Sequence, residues 1–249
     1  MRKVVFFGSI PLATKCLKEI LKIEDVDLLG VCCTEMNNSW RHAEKEDTVY
    51  GFCKKNNINI LSHNDIKALE PDIGISIRYN RIIEKEVIEK FKFGIVNTHG
   101  GILPAYRGTY CNIHSILNEE KEFGVTLHYI DKGIDDGDII DILKEPISED
   151  DTGFDLYLKG EKLCYQILMK NIDDILKGTN KRIKQKKLIE NGSKANVYRK
   201  KDIEGLKFIP FDKLREDYSV KVIKAFDSPY HEPAFTVIND KKIYLRYKY

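Results

Sequence analysis

Short β-branched and aromatic runs alternate with segments whose apolar residues recur every three or four positions, and this alternation limits the possible folds more than any other feature. Residues 4–7, Val-Val-Phe-Phe, stop at Gly8-Ser9, after which Leu12, Cys16, Leu17, Ile20 and Leu21 fall at helical spacing. Residues 26–33 read as a second strand, 49–56 as a short helix and 58–61 as a third strand, with a polar, irregular and mobile loop expected over 35–47. Residues 72–76 give a fourth strand, 84–91 a helix and 94–97 a fifth strand. Such a series predicts βαβ units and a Rossmann-like, doubly wound, mostly parallel α/β sheet. Ligands sit beyond the carboxyl ends of the strands in such sheets. That singles out Gly8-Ser9, Thr34, residues 76–79 and residues 97–99.

Further along, residues 124–130 and 138–143 look like two more strands joined by an acidic turn. A long amphipathic helix follows, with Leu156, Leu163, Cys164, Ile167, Leu168, Ile172, Ile175 and Leu176 on one face, Ser148 or Thr152 as its cap and Gly178 as its stop. We expect a catalytic domain over 1–178. Residues 179–249 then form a connector and a small β-rich C-terminal module, with strands at 218–223, 234–238 and 242–247 and a hairpin turn at Asn239-Asp240.

Lys and Arg number 41 against 39 Asp and Glu, a formal net charge of +2. That balance argues against a dedicated nucleic-acid partner. The charge is unevenly spread. Segment 181–201 carries Lys181, Arg182, Lys184, Lys186, Lys187, Lys194, Arg199, Lys200 and Lys201 against Glu190 alone, an excess of +8 that leaves the remainder at −6. It reads either as a solvated linker or as a contact to phosphates. Cys16, Cys32, Cys33, Cys53, Cys111 and Cys164 fit no zinc spacing and mostly lie in apolar runs, as expected of reduced core residues in a cytoplasmic protein. No apolar run approaches the roughly 18 residues of a membrane span, and no signal peptide or membrane partner is expected.

No G-x-G-x-x-G, P-loop or G-x-S-x-G motif occurs, which argues against a dinucleotide site, a P-loop hydrolase and an esterase elbow. Residues 97–108, Asn-Thr-His-Gly-Gly-Ile-Leu-Pro-Ala-Tyr-Arg-Gly, instead bring an amide, an imidazole, glycines and an arginine to a strand end. Residues 131–138, Asp-Lys-Gly-Ile-Asp-Asp-Gly-Asp, lack the alternation and closing Glu of a calcium loop, so no metal is expected there.

Asn97-x-His99, the run Ile102-Leu103-Pro104-x-Tyr106-Arg107-Gly108, Gly124-Val125-Thr126 and Gly133-Ile134-Asp135-x-Gly137-Asp138 together resemble the folate-dependent formyltransferase superfamily. The match runs in order over about the first 70% of the chain. The resemblance implies formyl transfer from 10-formyltetrahydrofolate to a primary amine, with Asn97, His99 and Asp135 as the catalytic trio. It implies no covalent intermediate. An amine attacking a formyl carbon develops an oxyanion and a cationic nitrogen, which need a hydrogen-bond donor and a base.

The acceptor is narrowed by further likeness. The tail after residue 178 is shorter than the barrel domain of a methionyl-tRNA formyltransferase, and a glycinamide ribonucleotide transformylase would leave it unexplained. Residues 101–108 and 121–129 are most similar to sugar N-formyltransferases, which act on nucleotide-linked 3-amino or 4-amino deoxysugars for O-antigen, lipopolysaccharide or other surface glycans. This implies a dTDP-linked acceptor such as dTDP-4-amino-4,6-dideoxyglucose, while a homodimer is expected because the Tyr-rich β segments of the tail could pair across a twofold axis. A methionyl-tRNA formyltransferase-like enzyme and a nonenzymatic folate- or nucleotide-binding protein are the alternatives. Two departures bear on the acceptor pocket: residues 109–114 lack a Trp frequent in relatives, and Gly101 stands where tRNA-acting relatives usually have Ser. Gly8, Ser9, Arg78, Tyr79 and Arg107 are the expected substrate contacts, with Arg81, Trp40 and Arg41 nearby. Ile82, Ile83, Asp131 and Asp138 are expected to hold the folate, largely through main-chain groups.

Overall fold

The computed structural model describes residues 1–35 and 47–248; most of the expected 35–47 loop, with Trp40 and Arg41, lies outside the described residues. Its first unit is strand β1 (Arg2–Gly8), helix α1 (Pro11–Ile20) and strand β2 (Val26–Cys32), parallel to β1. Helices α2 (Val49–Lys55) and α3 (His63–Lys67) follow, then β3 (Ile73–Ile77), α4 (Lys85–Ile88) and β4 (Ile95–His99). After the short strand β5 (Arg107–Gly108) and helix α5 (Cys111–Leu117) come β6 (Glu122–Tyr129) and β7 (Ile139–Pro146), both running antiparallel to their neighbours. The six-stranded sheet has the order β2-β1-β3-β4-β6-β7. It is the mixed, mostly parallel α/β sheet that the alternation predicts.

Both faces of the sheet are covered, and the strand sequences show how. Val4 and Phe6 point into one buried cluster with α1 and the long helix α6 (Gly153–Lys177), while Val5 and Phe7 point into another with Ile66, Val87 and Phe91. On α6 the residues expected on one face, from Leu156 to Leu176, are all buried. Thr152 rather than Ser148 caps the helix, trading hydrogen bonds with Asp155 in a capping box, and Gly178 ends it at φ 73°. Such a cap contributes about 1 kcal/mol.

Two expected strands are absent. Residues 58–61 make only a single bridge, Ile60 to Val31, because the run is confined between a turn at Asn57 (φ 55°) and Ser62, which caps α3. Residues 218–223 lie in helix α8 (Asp217–Phe226). Ser219, Val222, Ala225 and Phe226 share its buried face, a helical repeat that outweighs the β propensity of Tyr218, Val220 and Val222. The β content of the C-terminal part is thus mainly one hairpin, β9 (Ala234–Ile238) and β10 (Lys241–Leu245), turned by Asn239 and Asp240 with φ 48° and 58°.

Nor is the basic segment a free linker. Helix α7 (Gln185–Glu190) and strand β8 (Val197–Tyr198) lie within it, and β8 pairs with β5. Tyr198 stacks on His114 at 4.0 Å and on Tyr106 at 5.2 Å between ring centroids. A third buried cluster joins Ile116, Phe123 and Leu156 to Ile209, Val222 and Phe226 of the C-terminal part. Among the described residues, no helix is long and apolar enough to cross a membrane.

Candidate active site

Strand β4 presents Asn97 and His99 two residues apart, hence on one face of the sheet. Its antiparallel register with β6 sets His128 directly opposite Asn97 and Thr126 opposite His99. The Thr126 hydroxyl donates to the Gly101 carbonyl at 2.7 Å and accepts from the Leu103 N–H at 3.1 Å, which fixes the loop leaving β4. That loop returns the Tyr106 carbonyl to within 2.6 Å of His99 Nε2. Nε2 therefore carries a hydrogen and donates it, which leaves Nδ1 facing Asp135 Oδ2 at 3.4 Å. Gly101 makes this approach possible. A Cβ there would lie 2.8 Å from His99 Nε2 and 2.6 Å from the Tyr106 oxygen, so the loop leaves no room for a side chain.

Asp135 enters from the β6–β7 loop at φ 48°. Its Oδ2 accepts the Gly108 N–H at 2.8 Å, and its Oδ1 lies 3.7 Å from His128 Nε2. His128 Nδ1 donates to the Tyr129 carbonyl at 2.8 Å, so its bare Nε2 accepts from the Asn97 amide at 3.2 Å. Burial, aided by the nearby His99, pulls the His128 pKa down to about 4 against the pull of Asp135. His128 is thus a neutral acceptor that orients the Asn97 amide. Cys111 lies 3.7 Å from His99 Nε2, but burial pushes its thiol up to about 12, so it is no thiolate nucleophile. The group can hold a hydrogen-bond donor, an imidazole and a carboxylate in register without covalent catalysis.

A formyl transferase family profile matches residues 33–172. The chain belongs to the formyl transferase family. It is similar to the methionyl-tRNA formyltransferase of Acetivibrio thermocellus, at 31% identity over 194 residues covering 74% of the chain. The chain spans only 62% of that relative's length. Among solved structures, the N-formyltransferase from Helicobacter canadensis, in complex with folinic acid and dTDP-3-aminofucose, aligns with a TM-score of 0.79 at 29% identity, covering 98% of this chain and 86% of that one. WlaRD, a sugar 3N-formyl transferase solved in the presence of dTDP and 5-N-formyl-THF, aligns with a TM-score of 0.79 at 32% identity, covering 98% and 85%. The family expected from the motifs is the family found.

The remaining expected residues of this formyl transferase fall into three places. Arg78, at φ 51°, sets its Nε 3.1 Å from Glu161 and its guanidinium over the Tyr157 ring. It lines a cavity of about 790 Å³ with Tyr110, Phe154, Tyr157, Lys200, Lys207 and Phe208. The cavity begins beside the end of β4, since Arg78 Nη1 lies 3.6 Å from where a Cβ of Gly100 would be. Tyr79 points the other way, into the second cluster against Phe7, with its hydroxyl 3.2 Å from His63. Gly8 ends β1 against Ala13, and the Ser9 and Thr34 hydroxyls gather on Asn80 Oδ1 at 3.1 Å, joining the ends of β1, β2 and β3. Arg107 turns to the connector, where Gln185 accepts its hydrogen bonds.

On the folate side, Ile82 is 89% exposed while Ile83 is buried in the second cluster, against which Ile130, next to Asp131, also packs. Asp131 Oδ1 accepts the Lys132 N–H at 2.7 Å, and the Asp138 carbonyl accepts from Tyr129 N at 2.9 Å. Among the described residues no group of His, Cys, Asp and Glu is arranged to hold a metal ion. Sequence reasoning left His128 and Gln185 without a role. The signal for His128 was its place on the strand leading to Asp135; Gln185 had none beyond being uncharged in a basic run.

Proposed function

We propose that this formyl transferase moves the formyl group of 10-formyltetrahydrofolate onto the primary amine of a nucleotide-linked amino deoxysugar, of the dTDP series, for O-antigen or another surface glycan. The observation that carries this reading is the Asn97, His99 and Asp135 constellation next to a cavity lined by Arg78, Lys200, Tyr110, Phe154 and Tyr157. Guanidinium and ammonium groups suit a pyrophosphate, and aromatic faces suit a base and a sugar. The ligands in the Helicobacter canadensis and WlaRD structures point to the same donor and acceptor classes.

In the reaction the amine nitrogen bonds to the formyl carbon, and the carbonyl oxygen becomes an oxyanion that the Asn97 amide stabilises. The new ammonium gives up its proton to Asp135, directly or through His99 Nδ1. The bond from carbon to N10 of the folate then breaks as N10 takes a proton, which releases tetrahydrofolate and the formamido sugar. Ile82, Ile83, Asp131 and Asp138 border the donor in this reading, and Arg78 the acceptor.

The test mixes purified protein and 10-formyltetrahydrofolate with dTDP-3-aminofucose and, separately, dTDP-4-amino-4,6-dideoxyglucose. Mass spectrometry should show one sugar nucleotide gaining a formyl group. Formylation of methionyl-tRNA with neither sugar nucleotide turned over would sink the proposal in favour of the tRNA-acting alternative.

A further inference from the structure

We propose that Gln185 is a positioning residue for Asp135, a buried clamp through which the basic connector holds the catalytic loop in its working shape. The inference rests on the formyl-transfer reading of the site and deepens it. Gln185 opens α7 in the most cationic stretch of the chain, yet it is uncharged and only 2% exposed. A carboxamide has two N–H donors and an oxygen with two lone pairs, and here all four are used. Nε2 donates to the carbonyls of Asp135 and Gly137, at 2.8 Å each. Oε1 accepts from Arg107 Nε at 3.0 Å and Nη2 at 2.8 Å.

The contacts close a ring. Arg107 precedes Gly108, whose N–H is the donor to Asp135 Oδ2 at 2.8 Å. One residue is therefore held at both ends, its carbonyl by Gln185 and its carboxylate by Gly108, with the Arg107 guanidinium tying the two supports together. Asp135 needs such holding, because its φ of 48° is one that residues with a Cβ adopt only where surrounding structure imposes it. Its approaches to His99 and His128, at 3.4 and 3.7 Å, are too long to fix the carboxylate by themselves. With the clamp gone, two carbonyls lose their donors and the loop relaxes toward an ordinary backbone, carrying the carboxylate with it. A shift of about 1 Å in a reacting group can cost roughly 100-fold in rate.

Gln185→Glu keeps the side chain's size and its attraction to Arg107 but sets an oxygen against two carbonyl oxygens. The variant should fold, keep KM for donor and acceptor within about threefold and lose about 10- to 100-fold in kcat. In protein labelled at histidine, the imidazole resonances of His99 and His128 should move while those of His63 stay in place. Unmoved His99 and His128 signals with wild-type kcat would overturn the proposal, as would a loss of rate that only follows loss of folded protein. Should Gln185→Glu not fold, Gln185→Asn, whose amide falls one methylene short, is read the same way. Wild-type protein that formylates no amino sugar would remove the functional reading, and the imidazole signals would still report whether Gln185 sets Asp135.

Discussion

The rim of the sheet and the wall of the neighbouring cavity are built on opposite plans. At the rim, His99 and His128 are 8% and 1% exposed, and each of their nitrogens faces a named polar atom. Across the cleft, Tyr110 is 39% and Phe208 47% exposed, and Lys200 reaches the cavity from the surface. Bond-making chemistry needs donors and charges fixed before the substrate arrives, in a medium dry enough to give them strength. Recognition of a long acceptor needs surface that can yield to it. On the proposed function this contrast separates rate from selection, and three substitutions probe it.

The largest effect should come from Asp135→Asn, which keeps the Gly108 contact and removes the base. We expect kcat to fall on the order of 10³-fold with acceptor KM within about threefold, read by steady-state kinetics. A change confined to KM would move Asp135 to the recognition side and break the comparison.

Next is the stability cost of a buried neutral imidazole. The His128 pKa is depressed to about 4 in the folded chain from 6.5, so between those pH values the unfolded chain binds the extra proton. Stability should be intact above about pH 6.5 and fall toward pH 4, by up to roughly 3 kcal/mol from this residue. His63 and His114, also lowered by burial, act in the same direction. Urea unfolding across this range should show a shallower acid decline in His128→Gln than in the wild type, whatever its stability at neutral pH. Equal slopes would mean that His128 is not held neutral.

Smallest is Arg78→Lys at the cavity wall. It retains the charge that faces Glu161 but gives up the planar fork. Acceptor KM should rise about fivefold to tenfold with kcat within twofold. A matching fall in kcat would show that the wall also positions the reacting amine.

Much of the sheet is written in local pattern, since residues 4–7 and the face of α6 each announce their period and find it. Asn97 and His99 could be placed because a strand end was visible next to them. His128 was harder: its role depends on β6 running antiparallel to β4, a pairing that no local run encodes when the preceding units are parallel. Gln185 lies 50 residues beyond Asp135, inside a charge run whose composition masks the one side chain that turns inward. Tyr79 shows the converse limit. Adjacent to Arg78 in sequence, it packs into the second cluster while Arg78 lines the cavity, because the chain leaves β3 through a left-handed turn at Arg78 (φ 51°) that no local pattern announces. Residues 218–223 misled because β-branched residues can also line a helix.

The pairing of residues 197–198 with 107–108 and the seat of Gln185 under the acidic loop also set an order of events. As the chain leaves the ribosome, the sheet strands, α6 and all three members of the trio emerge first. The segment that locks them arrives afterwards. On the proposed role of Gln185, a copy that has stopped short of residue 185 would carry Asn97, His99 and Asp135 without the contacts that hold the Asp135 loop.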